Sequence, residues 1–220
     1  MSSNARLCRR FTETPVHNQA QQRPERTQCM SWKAFLMATS VEIARPLQRA
    51  EYDALVANGV FRDERIELLD GALVPMSPIG PPHSSAVQKL MELLLPALLG
   101  RATVRVRSPF AAHELSEPEP DIAIVPTDND DYATRHPTQA HLIIEVADSS
   151  LDRDRDAKLQ IYALSGVPEY WVVNLRERRI EVHAAPVGRA YASFAQYERG
   201  QTLHPLRFTD VDIAVSDVIR

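Results

Sequence analysis

Two short apolar runs constrain the fold of this chain more than any other feature. They are PDIAIV, residues 120–125, and LIIEVA, residues 142–147. Runs of this length without polar alternation are typical of strands that are covered on both faces. Each run nevertheless contains one carboxylate, Asp121 in the first and Glu145 in the second. Because burying an unpaired charge is expensive, the two acids need a specific explanation.

Helices and strands are predicted on both sides of these runs. Proline near the start and glycine just past the end predict a helix over 46–59, and Asp70-Gly71 between two apolar runs predicts a hairpin over 65–77. A stripe of apolar residues with 3–4 spacing predicts a helix over 84–99. The alternating segment at 103–110 predicts a strand with Arg105 and Arg107 on its solvated face.

The second half of the chain continues in the same manner. We expect a helix over 151–165, a buried strand at 169–174, a strand at 178–185 paired with it, and two weaker strands after residue 189. This order of elements predicts an α/β fold in which helices cover a mixed central sheet.

Lys158 has an unusual position on the predicted helix 151–165. Steps of 100° per residue place it in the middle of the apolar stripe, within roughly 60° of five residues. Those five residues are Leu151, Asp154, Ile161, Tyr162 and Ser165. The lysine should therefore face the sheet, where it is suited to orient a nucleophilic water or to stabilise a pentavalent phosphate.

A divalent metal ion would explain the two buried acids. Neighbouring strands lie about 4.8 Å apart, so Asp121 and Glu145 converge if their strands pair. Hard cations such as Mg²⁺ prefer oxygen ligands, and they lower the pKa of a bound water that attacks a phosphate.

Several motifs of the chain resemble those of known nucleases. Pro120-Asp121 followed by Glu145-Val146-Ala147 is similar to the PD-(D/E)XK nuclease signature, although Ala147 occupies the usual lysine position. The block EVADSSLDRDRDAKLQIYALSGVPEYWVVN resembles the bacterial family of Uma-two type restriction endonucleases, whose lysine lies on the following helix and matches Lys158. RIELLDGALVPMSP and HSSAV also resemble that family.

The resemblance covers residues 45–215 and implies a restriction-endonuclease-like, three-layer α/β/α core. It implies an endonuclease that hydrolyses DNA phosphodiester bonds with Mg²⁺ or Mn²⁺, with Asp121, Glu145 and Lys158 as catalytic residues. Glu67 corresponds to a family acid that faces the site and is a further candidate metal ligand. DNA is the expected partner, no membrane is involved, and a homodimer is left open.

Other residues are candidates for supporting roles, each with an ordinary structural alternative. Asp154 tethers the lysine or interacts with the helix dipole, Tyr162 bonds the lysine or packs in the core, and His83 contacts phosphate or merely begins a helix. The candidate phosphate contacts are Arg105, Arg107, Arg153 and Arg155, which are otherwise ordinary solvated charges.

Charge and cysteine content limit the other functions. A net charge of −4 excludes an overall basic surface, so nucleic acid must be met by a local patch. Residues 1–40 carry +4 and both cysteines, Cys8 and Cys29, and we expect them to form a disordered basic extension. The body has no cysteine for disulfides or zinc, which suits the cytoplasm, and no run reaches the ~18 apolar residues of a membrane span.

Two other functions compete with that of an endonuclease. Ala147 at the usual lysine position favours a catalytically degenerate relative that binds nucleic acid or a protein partner. A serine hydrolase lacks support, because the chain has no G-x-S-x-G motif.

Overall fold

The computed structural model describes residues 45–130, 132–148 and 150–219, and the predicted extension 1–40 lies outside the described residues. Ten strands and several helices follow one another along the described part of the chain. In order they are α1 (Arg49–Ala57), β1 (Ile66–Leu69), β2 (Ala72–Pro75), α2 (Pro81–Leu98), β3 (Thr103–Val106), β4 (Ile122–Val125), β5 (Leu142–Ala147), α3 (Leu151–Arg153), a π-helical segment (Asp154–Lys158), α4 (Leu159–Leu164), β6 (Glu169–Asn174), β7 (Arg179–Val187), β8 (Ala190–Glu198), β9 (Thr202–Leu203), β10 (Ile213–Ala214) and α5 (Val215–Val218). Among the described helices, none is both long and apolar enough to cross a membrane.

A six-stranded mixed sheet forms the centre of the fold, with strand order β3-β4-β5-β6-β7-β8. Only β5 and β6 are parallel, and the helical segment 151–164 is the crossover between them. The two strands predicted from the apolar runs pair directly, with Ile122 opposite Ile144. The predicted α/β fold with a mixed central sheet is therefore confirmed.

Helices cover both faces of this sheet, which explains the unbroken apolar runs. The long helix α2 packs Leu90, Leu94 and Leu98 against one face, together with Ile122 and Ile144. Ile143, Ala147, Tyr162 and Tyr170 belong to the core on the opposite face, where α4 lies. Successive residues of β4 and β5 thus enter different cores, and the result is three layers.

The β1-β2 hairpin forms a separate two-stranded sheet. Its turn places Asp70 at φ 46° and Gly71 at φ 80°, which is the geometry that the Asp-Gly pair predicts. Glycine is also required at position 71 because a Cβ there would overlap Pro46. A bridge between Leu68 and Glu117 attaches the hairpin to the segment before β4, with Glu117 N donating to Leu68 O at 2.8 Å.

Three boundaries differ from the sequence-based expectation. Helix α2 begins at Pro81 rather than at residue 84, because prolines are tolerated in the first turn of a helix. Strand β3 ends at Val106, and Arg107 turns away with φ 45°. The tail after residue 189 holds a nine-residue strand, β8, which pairs along most of its length with β7.

The helix predicted over 151–165 is present but is not a regular α-helix. It consists of α3, the π-helical segment Asp154–Lys158 and α4, which we call together the split helix. Both ends of the π-helical segment are buried, with Asp154 1% and Lys158 4% exposed. A π-turn places one additional residue in a helical turn, and such turns are frequent at functional sites.

Candidate active site

The pairing of β4 with β5 brings Asp121 and Glu145 to one place. Asp121 lies one residue before Ile122, and Glu145 lies one residue after its partner Ile144, so the two acids stand opposite each other where the ladder ends. The Asp121 Oδ2 atom accepts a hydrogen bond from the backbone N–H of Val146 at 2.9 Å. This bond fixes the Asp121 side chain against β5.

Asp121 also has basic side chains from two other segments as neighbours. His83, in the first turn of α2, places its Nε2 2.9 Å from Asp121 Oδ2. The Arg107 Nε atom lies 3.7 Å from Asp121 Oδ1. The Nδ1 atom of His83 is buried and has no hydrogen-bond partner among the described residues. Asp121 is therefore held by protein groups on both carboxylate oxygens.

Glu145 is 4% exposed and is held by two side chains of the split helix. Its Oε1 atom accepts hydrogen bonds from Lys158 Nζ at 3.0 Å and from Tyr162 OH at 2.8 Å. Burial raises the pKa of Glu145 well above its usual range, against the attraction of Lys158. Repulsion from three nearby carboxylates, Asp154, Asp121 and Glu67, adds to this rise.

Lys158 bridges two acids that come from different parts of the chain. Its Nζ lies 3.0 Å from Glu145 Oε1 on β5 and 3.1 Å from Glu67 Oε2 on β1. Burial alone lowers the pKa of Lys158, but the carboxylates of Glu145, Glu67 and Asp154 outweigh it and the pKa is raised. The ammonium group is therefore charged, and it holds the hairpin against the central sheet.

Glu67 is 1% exposed and completes this side of the site. In addition to Lys158, its Oε2 accepts a hydrogen bond from the backbone N–H of Glu119 at 3.3 Å. Arg153 Nη1 lies 3.8 Å from Glu67 Oε1. The sequence identified Glu67 only through the family resemblance, because a four-residue hairpin strand does not reveal which way its acid points.

Asp154, at the start of the π-helical segment, is buried on the same side. Its Oδ2 accepts a hydrogen bond from Ser150 Oγ at 2.6 Å, and burial raises the pKa of its carboxyl group. The ion-pair partners of Lys158 are Glu145 and Glu67 rather than Asp154. The i,i+4 pair considered from the sequence is thus replaced by contacts with the sheet and the hairpin.

These residues line one narrow cleft with an enclosed volume of about 70 Å³. That volume suffices for an ion or a few water molecules but not for a nucleotide. Six of the seven predicted site residues line the cleft: Glu67, His83, Asp121, Glu145, Asp154 and Lys158. The seventh, Tyr162, contacts the site through its hydrogen bond to Glu145. Four of these six are carboxylic acids.

The four predicted arginines are not all at this cleft. Arg153 lines it, and Arg107 contacts Asp121 beside it. Arg105 instead lies over the ring of Tyr132, with 5.5 Å between the guanidinium carbon and the ring centroid. Arg155 is bound to Glu181 on β7, with Nε 2.8 Å from Oε2.

Some lining residues were not singled out from the sequence. They are Arg65, Glu119, Asp148 and Ser150. Side chains two residues apart on an extended chain point to the same side, so Glu119, two residues before Asp121, could have been predicted at the site. Arg65 pairs with Glu119 at 2.9 Å, a contact between segments that the sequence does not predict.

The carboxylates of the cleft are the side chains that could bind a divalent ion. Carboxylate oxygens are the ligands that Mg²⁺ prefers, and Mg²⁺ is commonly held by only one or two carboxylates with water in the other positions. The buried carboxylates here repel one another, which raises the pKa of Glu145 and favours a positive charge between them. Within the described part of the chain, however, no three Asp, Glu, His or Cys side chains are arranged around one point as metal ligands. Asp121 and Glu145 offer carboxylate oxygens of the kind that Mg²⁺ prefers, and water would have to supply its other ligands.

Comparison with known proteins adds independent findings. No curated protein matches the chain. Among solved structures, the crystal structure of a "putative nuclease belonging to DUF820" from Anabaena variabilis ATCC 29413 matches with a TM-score of 0.58 and 14% identity, covering 71% of this chain and 90% of that chain. At this identity the likeness concerns the fold alone. The sequence profile of the Uma2 family, described as "Putative restriction endonuclease", matches residues 49–216. Because that match covers most of the chain, the protein belongs to this family.

Proposed function

We propose that the protein is a divalent-metal-dependent DNA endonuclease. The observation that carries the proposal is the convergence of four acids and one buried lysine, drawn from four separate segments, on a single cleft. A purely structural ion pair needs one carboxylate for one ammonium. Here Lys158 faces Glu145 and Glu67, and Asp121 and Asp154 lie at the same cleft.

Asp121 and Glu145 are the residues that would hold the ion. When bound, a divalent ion neutralises these acids and lowers the pKa of a coordinated water. Either Mg²⁺ or Mn²⁺ suits oxygen ligands of this kind. Glu67 is a further candidate ligand, whose oxygens, like those of Asp121, already have protein partners.

The remaining groups have roles that follow from their contacts. Tyr162 donates to the Glu145 oxygen that also accepts from Lys158, and so fixes the direction of that carboxylate. Lys158 brings a positive charge beside the acids, where it can stabilise negative charge that develops on a phosphate. His83 can carry a proton at its unpartnered Nδ1 while Nε2 remains bound to Asp121.

The size of the cleft determines how a substrate approaches. A volume of about 70 Å³ does not admit a nucleotide, so the scissile phosphate must come to the mouth of the cleft from outside. Arg65 and Arg153 line the cleft and are about half to two-thirds covered, with side-chain exposures of 46% and 32%. They are suited to contact the phosphate backbone, which positions DNA without reading its sequence.

The experiment that tests this proposal is cleavage of supercoiled plasmid DNA with Mg²⁺, Mn²⁺ or EDTA, beside linear single-stranded DNA and RNA. Wild type should cut DNA only with a divalent ion, and Asp121→Asn and Glu145→Gln should be inactive. Glu114→Gln changes an exposed acid outside the cleft and is the matched control. Cutting in EDTA, or full activity of Asp121→Asn, would refute the assignment.

A catalytically degenerate binding protein is the second candidate. It is favoured by the protein contacts that already occupy Asp121 and Glu145, and by Ala147 at the usual lysine position, where it is fully buried. In that case the chain binds DNA in the plasmid experiment, as gel retardation would show, but no ion produces cleavage. In either case we expect it to act in the cytoplasm and to be built on residues 45–215.

A further inference from the structure

A second and larger cleft lies on the other side of Glu119. We call it the Glu117 cleft, and its polar lining includes Arg49, Asp53, Glu117, Tyr132, Arg135 and His136. Its volume is about 610 Å³, within the range of about 300–1,000 Å³ that is typical of small-molecule sites. Glu119 lines both this cleft and the candidate active site, so the two are adjacent.

Glu117 is the unusual residue of this cleft. It is 3% exposed, and its Oε2 atom has no hydrogen-bond partner among the described residues. The nearest basic side chains place Arg49 Nη1 3.8 Å and His136 Nε2 3.9 Å from its carboxylate oxygens, too far for hydrogen bonds. Buried polar groups in proteins are nearly always paired, so an unpaired carboxylate that lines an open cleft indicates a missing donor.

The fold holds Glu117 in this position at a cost in stability. The bridge to Leu68 fixes the backbone of Glu117 beside the hairpin, and the side chain is buried there. Burial raises the pKa of Glu117 to about 7, and repulsion from Asp53 adds to the effect. Strongly perturbed acids in clefts are typical of functional sites.

The chemistry of the lining selects the class of ligand. A carboxylate accepts two parallel hydrogen bonds, so its best partner presents two adjacent N–H donors on one edge. Guanine does so with N1–H and the 2-amino group, whereas adenine, cytosine and uracil each lack two adjacent donors on that edge. A free guanidinium or polyamine would also donate, and Asp53 and Glu119 would attract it, but it would make no use of Arg49 and Arg135, which line the same cleft. The same cations suit the phosphates of a nucleotide.

An aromatic ring supports the same ligand. Tyr132 lines the Glu117 cleft, and its hydroxyl group is anchored to Pro126 O at 2.8 Å. Proteins that take a base out of its stack, or that bind single strands, read its Watson–Crick edge with polar groups and pack its face on aromatic side chains. The Glu117 cleft combines these elements.

We propose that the Glu117 cleft is a subsite for one unpaired guanine base of the nucleic acid that the active site cuts. The proposal rests on the proposed nuclease function for the identity of the substrate. In this subsite Glu117 determines which base is bound, and Arg49 and Arg135 contact the flanking phosphates. Glu119, between the two clefts, separates the recognised base from the scissile phosphate.

The test measures binding of the four nucleoside monophosphates to the full chain by titration calorimetry and saturation-transfer NMR, in EDTA. GMP should bind, and more tightly than AMP, CMP or UMP. Glu117→Gln should weaken GMP roughly five- to hundredfold, the value of a good bidentate pair, because an amide no longer presents two acceptors. Glu114→Gln is the matched control and should bind GMP as wild type does.

The outcomes separate the subsite from a misfolded variant and from the nuclease itself. Glu117→Gln removes a buried unpaired charge, so its melting temperature should not fall, and lost GMP binding then reports the cleft. Equal binding of all four nucleotides, unchanged GMP binding in Glu117→Gln, or no saturable GMP binding up to millimolar concentration would each overturn the subsite. GMP binding without DNA cleavage would retain the subsite and reject the nuclease, whereas cleavage without GMP binding would do the reverse.

Discussion

Replacing Lys158 by methionine removes the buried positive charge that contacts Glu145 and Glu67, while largely keeping the size of the side chain. The ammonium lies 3.0 Å from Glu145 and 3.1 Å from Glu67, and all three side chains are at most 6% exposed. Breaking a buried ion pair from one side typically costs about 3–5 kcal/mol, since the partner charge is left uncompensated. For a domain of this size that corresponds to a fall in Tm of roughly 6–20 °C.

The fall should depend on pH in a direction that the structure fixes. Burial and neighbouring acids already raise the pKa of Glu145, and loss of Lys158 raises it further. The variant can relieve its excess charge by taking up a proton, so its deficit is largest at alkaline pH and shrinks as the pH falls. The double variant Glu145→Gln with Lys158→Met should recover part of the lost stability at pH 8, because one of the two acids is then neutral.

Differential scanning fluorimetry at pH 8 in EDTA measures this deficit. Lys89→Met is the matched control, because Lys89 is the other lysine in the described part of the chain and pairs with Glu92 at 2.7 Å on the surface of α2. Such a surface pair contributes about 0.2–0.5 kcal/mol, so the control should melt close to wild type. A Lys158→Met variant that melts like the control would refute the buried pair. Addition of Mg²⁺ or Mn²⁺ should raise the Tm of Lys158→Met more than that of wild type, because the ion supplies the missing positive charge.

Four further predictions concern other groups. The pKa of Glu117 is about 7 in the folded protein, against 4.5 for an unperturbed glutamate, so the folded state binds more protons than the unfolded chain between these two values. The stability of the protein therefore falls as the pH rises through 7. Glu117→Gln should raise the Tm at pH 8 and change it little at pH 4. For Glu181 the pKa shift has the opposite sign. Burial opposes the shift, but hydrogen bonds from Arg155, Asn174 and Arg179 lower the pKa to about 2. In urea unfolding, Glu181→Gln should therefore destabilise the protein above pH 4.5 and progressively less toward pH 2. Glu145→Ala should abolish the binding of divalent ions in titration calorimetry, and heat equal to that of wild type would reject Glu145 as a ligand. Deletion of residues 1–40 should leave melting temperature and DNA cleavage unchanged, and a large fall in either would show that the segment contributes to the domain.

Much of the fold was predictable because its signals are local. The hairpin follows from Asp70-Gly71, and the buried strands β4, β5 and β6 follow from continuous apolar runs that match the observed bounds to within two residues. Strand β8 was underestimated, because an edge strand with one solvated face mixes small, polar and aromatic residues and lacks a clear apolar pattern. Its stability comes from the β7 partner rather than from its own sequence.

The candidate site was predictable only in part, and the limit has a physical reason. Asp121, Glu145 and Lys158 could be brought together because strand pairing and helix periodicity convert sequence spacing into position. The contacts of Glu67 with Lys158 and of His83 with Asp121 join segments more than 30 residues apart, and no local pattern specifies them. The Glu117 cleft was not predictable for a similar reason: Glu117 and Arg49 come from distant segments, and only the folded chain shows that they approach to 3.8 Å without a hydrogen bond.

The π-helical segment Asp154–Lys158 has a consequence for recognising related chains. Because such a segment holds one more residue than the α-helical turns around it, it behaves like a single-residue insertion whose effect is absorbed within one turn. The backbone change is secured by Tyr170, whose hydroxyl group donates to the carbonyl oxygen of Asp154 at 3.0 Å. A relative without the additional residue would present a lysine to the same acids from a neighbouring position in its sequence. Searches that demand a fixed interval between the glutamate of β5 and the lysine would separate chains that share one arrangement, whereas a pattern that allows the interval to vary by one would keep them together.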